Sequence, residues 1–152
     1  MKFIESNKLF QKKMATWFLL AIFFVILDRF FKIVSVQQFN YVLITDWLKF
    51  SLAKNYFIAF SIPLSGTLLN YTIFFIIIGL IFSLLTNKGQ TTAIKGAFSF
   101  IILGASSNLF DRLKYGYVID YLSVKWFTVF NIADAMIVCA IFYLLITEFR
   151  KK

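Results

Sequence analysis

Histidine is absent from this chain of 152 residues, and cysteine and proline occur only once each. The absence of histidine excludes histidine general bases, histidine-activated serine nucleophiles and histidine-ligated metals. The single Cys139 can form neither an internal disulfide nor a metal-binding cysteine cluster. Acidic residues are also scarce, with seven Asp and Glu against 16 Lys and Arg. We therefore expect neither a metal nor another cofactor, and any acid–base chemistry must come from a few carboxylates.

Apolar residues, by contrast, make up 61% of the chain, including 21 Phe, and the mean hydropathy is +0.81. A soluble domain of this length hides only roughly 70% of its surface, so this composition predicts extensive contact with lipid. It also excludes a disordered chain. The formal charge of +9 then indicates orientation in a membrane, and no nucleic-acid partner is expected.

Four apolar stretches approach the ~20 residues that a membrane-spanning helix needs. We predict spans over residues 14–36, 67–85, 91–110 and 129–147. They occupy roughly half of the chain, so residues 1–152 are expected to form one four-span domain of the all-α membrane class. Four spans place both termini on one side, and nine of the 16 Lys and Arg lie in the short segments on that side. The positive-inside rule predicts that this side is the cytoplasm.

The two external segments differ in pattern. Residues 37–66, between the first and second spans, alternate apolar and polar residues in FNYVLI and WLKFSL. This alternation favours short strands at the membrane surface, with an unstructured loop as the alternative. Trp47 and Tyr56 suit the depth of the lipid headgroups. Residues 111–130 are interpreted only as the connection between the third and fourth spans.

Five of the seven acidic residues are expected on the extracytoplasmic side, namely Asp28, Asp46, Asp111, Asp120 and Asp134. A carboxylate inside a span is costly and usually functional, which makes Asp134 the strongest catalytic candidate. Two carboxylates that share one proton could activate a water and protonate a carbonyl. Spacing alone leaves the partner of Asp134 open among Asp28, Asp111 and Asp120.

Several of these charges also fit structural roles. Asp28 and Lys32 are four residues apart and are expected to form an ion pair on one helix face. Asp111 and Arg112 are interpreted as structural too, although the Arg112 guanidinium could hold a carbonyl or a phosphate. Asp46 is expected to be solvated.

Two asparagines stand close to the candidate acids. Asn108 precedes Asp111 by three residues, and Asn131 precedes Asp134 by three. At helical spacing, Asn108 can share a face with either Asp111 or Arg112. Such amides could hold carboxylate or substrate oxygens without adding charge.

Four blocks, in order along the chain, carry a specific resemblance. They are DRFFK at residues 28–32, KNYFIAF at 54–60, GASSNLFDR at 104–112 followed by GYVID at 116–120, and FNIAD at 130–134. They are similar to an Asp-x-x-x-Lys motif, an Asn-x-Gly-x-Ala-Phe block, a Gly-Asn-x-x-Asp-Arg block with a trailing Asp, and Phe-Asn-x-Ala-Asp. Together they resemble the prolipoprotein signal peptidase family, or signal peptidase II, of bacterial membranes.

The resemblance implies residue roles that spacing does not. It implies that Asp120 and Asp134 form the catalytic dyad of an aspartic protease. Five residues match positions that line or support the site: Asn55, Asn108, Arg112, Asn131 and Ala133. Three others match positions of mainly structural support: Asp28, Lys32 and Asp111.

The resemblance also implies a substrate and a location. The substrate would be a diacylglyceryl-modified prolipoprotein, cleaved just before the modified cysteine, with membrane lipids as the other partner. The expected protein is a monomer in the bacterial cytoplasmic membrane, with both termini in the cytoplasm and the active site on the outer face. A small extracytoplasmic β-cradle and a mobile external helix would lie between the first two spans.

The chain departs from the family pattern at three points. Phe57 replaces the glycine of the first external block, Ser107 replaces the glycine before Asn108, and the stretch from Asp120 to Asp134 is short. Two alternative functions stay open: a small proton-coupled transporter using Asp134, and an inactive homologue acting as a membrane scaffold. A transporter would place its acid near the membrane midplane, whereas the polar residues here gather at one edge.

Overall fold

The computed structural model describes residues 2–37, 41–45, 47–57, 66–87 and 89–150, with side chains from residue 8 onward. Within these ranges lie the helices α1 (Lys2–Val36), α2 (Gly66–Thr86), α3 (Thr92–Tyr115) and α4 (Ile132–Phe149). The strands are β1 (Tyr41–Ile44), β2 (Leu48–Asn55), β3 (Val118–Val124) and β4 (Val129–Phe130). Asp46 and the segment in which the external helix was expected fall outside the described residues.

The helices carry apolar residues on their outer surfaces, as a lipid environment requires. In the described part of the chain, α2, α3 and α4 are each long and apolar enough to cross a membrane. α1 has 35 residues and exposes Phe18, Phe23 and Ile26 along its middle. α3 is the central helix, because it packs against each of the other three.

α3 continues to Tyr115, past the predicted end of the third span at residue 110. It ends at Gly116, whose φ of 81° is left-handed and whose N–H donates to the Arg112 carbonyl at 3.0 Å. Glycine adopts this conformation without the steric cost of a Cβ. Asp111 and Arg112 therefore lie within the helix, and the prediction that they belong to a connecting segment was wrong.

α4 begins at Ile132, later than the predicted start of the fourth span at residue 129. Residues 129 and 130 are extended and form β4. Asn131 then caps the helix, with its side-chain oxygen accepting from the Asp134 backbone N–H at 2.8 Å. Asparagine is a favoured N-cap residue because it satisfies a helix donor that has no partner within the helix.

The four strands form one antiparallel sheet in the order β1-β2-β3-β4. β1 and β2 arise from the alternating segment between the first two helices, where strands were predicted. β3 and β4 come from the segment between α3 and α4, which the sequence reading took only as a connection. The sheet therefore joins the α1–α2 segment and the α3–α4 segment into one unit beside the ends of the helices.

Burial in this bundle is unusual, because polar side chains form much of the interior at one end. The buried polar residues near the sheet are Asp28, Lys32, Ser35, Ser107, Asn108, Asp111, Asp120 and Asn131. A small apolar core of Ile77, Ile102 and Leu109 joins α2 to α3. The polar end lies where α1 and α3 end, α4 begins and the sheet packs.

Candidate active site

Asp134 is held in the first turn of α4 by a reciprocal cap. Its carboxylate Oδ2 accepts from the Asn131 backbone N–H at 3.2 Å, while the Asn131 side chain accepts from the Asp134 backbone N–H. Such a capping box satisfies two helix donors at once. The other carboxylate oxygen, Oδ1, accepts from Asn108 Nδ2 of α3 at 2.7 Å. Both oxygens of Asp134 are thus fixed by amide donors.

Asp120 projects from the middle of β3, opposite Ala53 of β2. Asn55 lies two residues after Ala53 on the same strand and therefore on the same face of the sheet. Its amide nitrogen donates to Asp120 Oδ2 at 3.0 Å. The sheet register thus brings the segment between α1 and α2 into contact with a carboxylate of the segment between α3 and α4.

Asn131 connects the two carboxylates. Its side-chain nitrogen donates to Asp120 Oδ1 at 2.6 Å, while its backbone N–H and side-chain oxygen hold Asp134. The residue stands between β4 and the start of α4, so one side chain reaches both the sheet and the helix. Asn131 is itself fully buried, which fixes its position.

The carboxyl group of Asp120 is poised to carry a proton near neutral pH. Burial, followed by the nearby charge of Asp134, raises its pKa from 3.8 to about 7. The hydrogen bonds from Asn55 and Asn131, and the charge of Lys32, lower the pKa and only partly offset these effects. A carboxylic acid with this pKa can donate a proton at pH 7, which an ordinary aspartate cannot.

A buried ionic cluster lies beneath this pair. The Lys32 ammonium contacts Asp28 at 3.0 Å and Asp111 at 2.7 Å, and it donates to Asn108 Oδ1 at 2.8 Å. Arg29 adds a second cation, with its guanidinium 2.7 Å from Asp111. Buried charges require such pairing because isolated ions are costly away from water. Through Asn108, the cluster is connected directly to Asp134.

Asp28, the other carboxylate of this cluster, stabilises the start of α4. Asp28 Oδ1 accepts from the Ala133 backbone N–H at 3.2 Å, and the Ala133 side chain is completely buried. Ser107 donates to the other oxygen of Asp28 at 2.7 Å. A carboxylate near a helix N-terminus is stabilised by the helix dipole, so α1 and α4 are joined where the site is built.

Arg112 and Asn55 together hold the backbone of Phe57. The Arg112 guanidinium donates to the Phe57 carbonyl at 3.0 Å, and the Asn55 side-chain oxygen accepts from the Phe57 N–H at 3.1 Å. The only non-glycine residue with positive φ in the described part of the chain is Trp126. Phe57 therefore occupies the family glycine position without requiring a glycine conformation, and its side chain is 39% exposed.

A cavity of about 490 Å³ opens beside Asp134. Its polar lining includes Asn55, Asn108 and Arg112. Its remaining walls are mostly apolar and come from α2, α3, α4 and the β3–β4 hairpin, with Ile73, Phe127, Phe130, Ile137 and Val138 among them. The cavity therefore combines a carboxylate and amides at one side with an apolar surface suited to a hydrocarbon chain.

Residues 20–150 match the family model described as Signal peptidase (SPase) II. The chain belongs to the signal peptidase II family. A lipoprotein signal peptidase of Tolumonas auensis is 30% identical over 149 residues, covering 90% of this chain and 91% of that protein. A lipoprotein signal peptidase of Clostridium tetani is 34% identical over 123 residues, covering 74% of this chain and 79% of that one.

Two solved structures, each described as a bacterial membrane enzyme, share this architecture. One has a TM-score of 0.77 at 26% identity, covering 90% of this chain and 88% of its own. The other has a TM-score of 0.75 at 25% identity, covering 91% and 95%. Membership of the signal peptidase II family indicates a membrane protein with protease activity, and the family predicted from the four sequence blocks is confirmed.

The structure brings nearly all residues singled out by the signal peptidase II resemblance into one connected network. That network contains Asp28, Lys32, Asn55, Asn108, Asp111, Asp120, Asn131, Ala133 and Asp134. Arg112 lines the cavity at its edge. Asn108, which spacing placed with Asp111 or Arg112, instead contacts Lys32, Asn131 and Asp134.

Three contributors to the network were not identified from the sequence. Arg29 was not considered, Ser107 was noted only as a replacement for glycine, and Tyr121 was not singled out. Tyr121 follows Asp120 on a strand and therefore faces the opposite side of the sheet. Nothing in the local pattern shows that its hydroxyl reaches Asp28 at 3.1 Å. Within the described residues, no group of three or more Cys, Asp or Glu side chains is arranged to hold a metal ion.

Proposed function

We propose that this chain is an aspartic endopeptidase that removes signal peptides from lipid-modified prolipoproteins by cleaving just before the diacylglyceryl-cysteine. The observation that carries the proposal is the contact of Asn131 with both Asp120 and Asp134. This arrangement holds two carboxylates from different elements at one site. Family membership and the name lipoprotein signal peptidase carried by its relatives support the choice of substrate.

The catalytic cycle follows from the protonation of the pair. Asp120, whose pKa is raised to about 7, would donate its proton to the scissile carbonyl oxygen. Asp134 would accept a proton from the attacking water, giving a tetrahedral diol. Collapse of the diol would break the C–N bond: one diol hydroxyl returns its proton to Asp120 as the new carbonyl forms, and the proton on Asp134 passes to the leaving amine, so the pair regains its starting protonation. The two carboxyl groups thus supply the acid and the base without a third catalytic group.

The cavity supports a lipidated substrate. Its apolar walls suit the acyl chains of a diacylglyceryl group, which would enter sideways from the bilayer. The Arg112 guanidinium has a buried Nε without a hydrogen-bond partner among the described residues. This N–H could therefore donate to a substrate carbonyl while another guanidinium nitrogen donates to the Phe57 carbonyl.

We further propose that α1 is a fourth span and that residues 1–152 form a single monomeric domain in the bacterial cytoplasmic membrane. α1 is longer than each of the three helices that meet the length and hydropathy expected of a span. The concentration of Lys and Arg near the two chain ends and in the α2–α3 connection supports cytoplasmic termini. The sheet and the carboxylate pair would then lie at the outer face.

The decisive experiment compares cleavage of a diacylglyceryl-cysteine peptide with cleavage of its unlipidated form by the protein purified in detergent. Asp120→Asn and Asp134→Asn should each reduce kcat by at least about 100-fold, because each removes one partner in proton transfer. Glu148→Gln is the matched control, since this exposed carboxylate lies at the other end of α4. It should cleave at the wild-type rate.

Three outcomes would contradict the proposal. Full activity in either Asp variant would exclude a carboxylate dyad. Equal cleavage of the lipidated and unlipidated peptides would exclude the lipid requirement. No cleavage by the folded wild-type protein would favour the inactive scaffold. The transporter alternative is disfavoured because the carboxylates gather at one end of the bundle with the sheet.

A further inference from the structure

We propose that the Tyr121 hydroxyl is a positioning group that sets the start of α4, and with it Asp134, relative to the strand that carries Asp120. This inference rests on the proposed function, since it assigns a role within the same site. Tyr121 is not among the residues that the family motifs singled out. It does not line the cavity beside Asp134 and has no exposed surface, so its role must be exerted through other residues.

The ring of Tyr121 packs on the face of the sheet that is turned away from the site, toward α1; we call this the hidden face. Because side chains alternate along a strand, Asp120 faces the site and Tyr121 faces the opposite side, toward α1. Its ring centroid lies 5.8 Å from that of Phe31 on α1 and 5.5 Å from that of Phe50 on β2. Aromatic contacts at these separations favour a defined ring orientation. The hydroxyl is therefore presented at a fixed point.

At that point the hydroxyl meets the first turn of α4. It accepts from the Ile132 backbone N–H at 3.1 Å and donates to Asp28 Oδ1 at 3.1 Å. The same Asp28 oxygen accepts from the Ala133 N–H at 3.2 Å. The first N–H groups of a helix have no partner within the helix. Tyr121 and Asp28 thus satisfy two consecutive donors directly before Asp134.

The two carboxylates are consequently linked by two routes. On the site face, the Asn131 side chain connects Asp120 to the cap of α4. On the hidden face, Tyr121, the next residue of the same strand, connects to the same turn of α4. Two attachments on opposite faces prevent α4 from pivoting about Asn131 alone. Burial and the Asp28 charge raise the pKa of Tyr121, so the hydroxyl keeps its proton throughout the usual assay range.

Ser107 provides a matched comparison. Like Tyr121, it donates a buried hydroxyl to Asp28, but to the other oxygen, at 2.7 Å, and it makes no contact with the α4 backbone among its described hydrogen bonds. If Tyr121 only satisfied Asp28, then Tyr121→Phe and Ser107→Ala should behave alike. If Tyr121 positions α4, the first variant should lower kcat far more than the second.

The test measures kcat and KM of wild type, Tyr121→Phe and Ser107→Ala on the lipidated peptide. We expect Tyr121→Phe to lower kcat about 10-fold at unchanged KM, because loss of both hydrogen bonds of the buried hydroxyl lets Asp134 move by a fraction of an ångström. Ser107→Ala should lower kcat clearly less, since the contact of Asp28 Oδ1 with the Ala133 N–H does not involve Ser107. Amide hydrogen exchange over residues 131–135 should be faster in Tyr121→Phe alone, and this readout does not depend on activity.

A second variant breaks the same contact from the other side. Ile132 is the first residue of α4, where proline is well tolerated, and the extended backbone of Asn131 suits a following proline. Ile132→Pro removes the backbone N–H that donates to the Tyr121 hydroxyl, so it should lower kcat to an extent similar to that of Tyr121→Phe. Combining it with Tyr121→Phe should cause no further loss.

The outcomes separate this inference from the proposed function. A wild-type protein that does not cleave the peptide contradicts the proposed function, whereas hydrogen exchange still tests the role of Tyr121. Wild-type kcat and unchanged exchange in Tyr121→Phe would overturn the inference while leaving the protease intact. Equal losses of kcat in Tyr121→Phe and Ser107→Ala would also overturn it, as would additive losses in the double variant.

Discussion

At the scale of single residues, asparagine amides organise the site. Asn131 and Asn108 each offer a donor and an acceptor, so they can contact carboxylates and one another. Asn108 accepts from Lys32 and donates to Asp134. The buried ammonium of Lys32 is thereby coupled to the Asp134 carboxylate, which Lys32 does not contact directly. Because amides are uncharged, they hold the two carboxyl groups in place without forming ion pairs with them, and the carboxyl groups can still gain and lose protons.

The raised pKa of Asp120 predicts the pH dependence of cleavage. The groups that face it are Asp134 on α4, Asn55 on β2, Asn131 at the α4 cap and Lys32 on α1. Since its pKa is about 7, the proton needed by the carbonyl is present below pH 7 and is lost above it. We expect kcat/KM to fall about 10-fold per pH unit on the alkaline side. A pH–rate profile that stays flat to pH 9 would contradict the assignment of Asp120 as the acid.

At the scale of elements, the close approach of α3 and α4 allows Asn108 to reach Asp134. Gly104 lies where the helices touch: a Cβ there would be 2.8 Å from the Ala133 carbonyl oxygen and 3.0 Å from Ile137 Cγ1. A carbonyl of the backbone cannot move aside as a flexible side chain can. The absence of a side chain at Gly104 therefore sets the helix spacing on which the hydrogen bond between Asn108 and Asp134 depends.

Gly104→Ala should consequently separate α3 from α4. We expect a lower melting temperature in detergent and a reduced kcat, with a loss of about 1–3 kcal/mol in the free energy of unfolding, typical of overpacking. Gly79→Ala on α2 is the matched control, because nothing lies within 4 Å of its Cβ position. There, alanine should be neutral or stabilising by up to about 1 kcal/mol through helix propensity. Equal behaviour of the two variants would refute the spacing argument.

At the scale of the whole molecule, the distribution of polarity is the reverse of that in a soluble protein. Large apolar side chains lie on the outside, among them Phe75, Phe82 and Phe142, and the ionic cluster lies inside. Lipid makes this arrangement favourable, because an exposed apolar surface costs nothing there while an unpaired charge is expensive. The carboxylate pair is consequently confined to the polar end beside the sheet.

The proposed topology can be tested with single cysteines introduced into Cys139→Ala. Lys8→Cys in α1 and Lys49→Cys in β2 are both exposed positions, and they should lie on opposite sides of the membrane if α1 spans it. In right-side-out vesicles, a membrane-impermeant maleimide should label Lys49→Cys at once and Lys8→Cys only after permeabilisation. Labelling of both cysteines from the same side would show that α1 does not cross.

The helices of this chain are easier to predict from the sequence than the contacts between residues far apart along the chain. Hydropathy located α2 within a few residues, because a long apolar run is a local property, whereas α1 begins at Lys2, well before the predicted start of the first span at residue 14. It misplaced the end of α3 and the start of α4, because β3 exists through pairing with β2 and β4 through pairing with β3. The strand that carries Asp120 pairs with β2, more than 60 residues earlier in the chain, and no local pattern reveals this pairing.

The sequence by itself determined that the protein belongs in a membrane and, through four motifs, its family; it also predicted that any acid–base chemistry comes from carboxylates. These follow from composition and from residues close together along the chain. Only the tertiary structure decided that Asn131 holds Asp120 and Asp134 together, and that Tyr121 reaches α4 from the hidden face of the sheet. Hydrogen bonds depend on distances of about 3 Å between atoms, and for residues far apart in sequence the packing of helices against the sheet sets those distances.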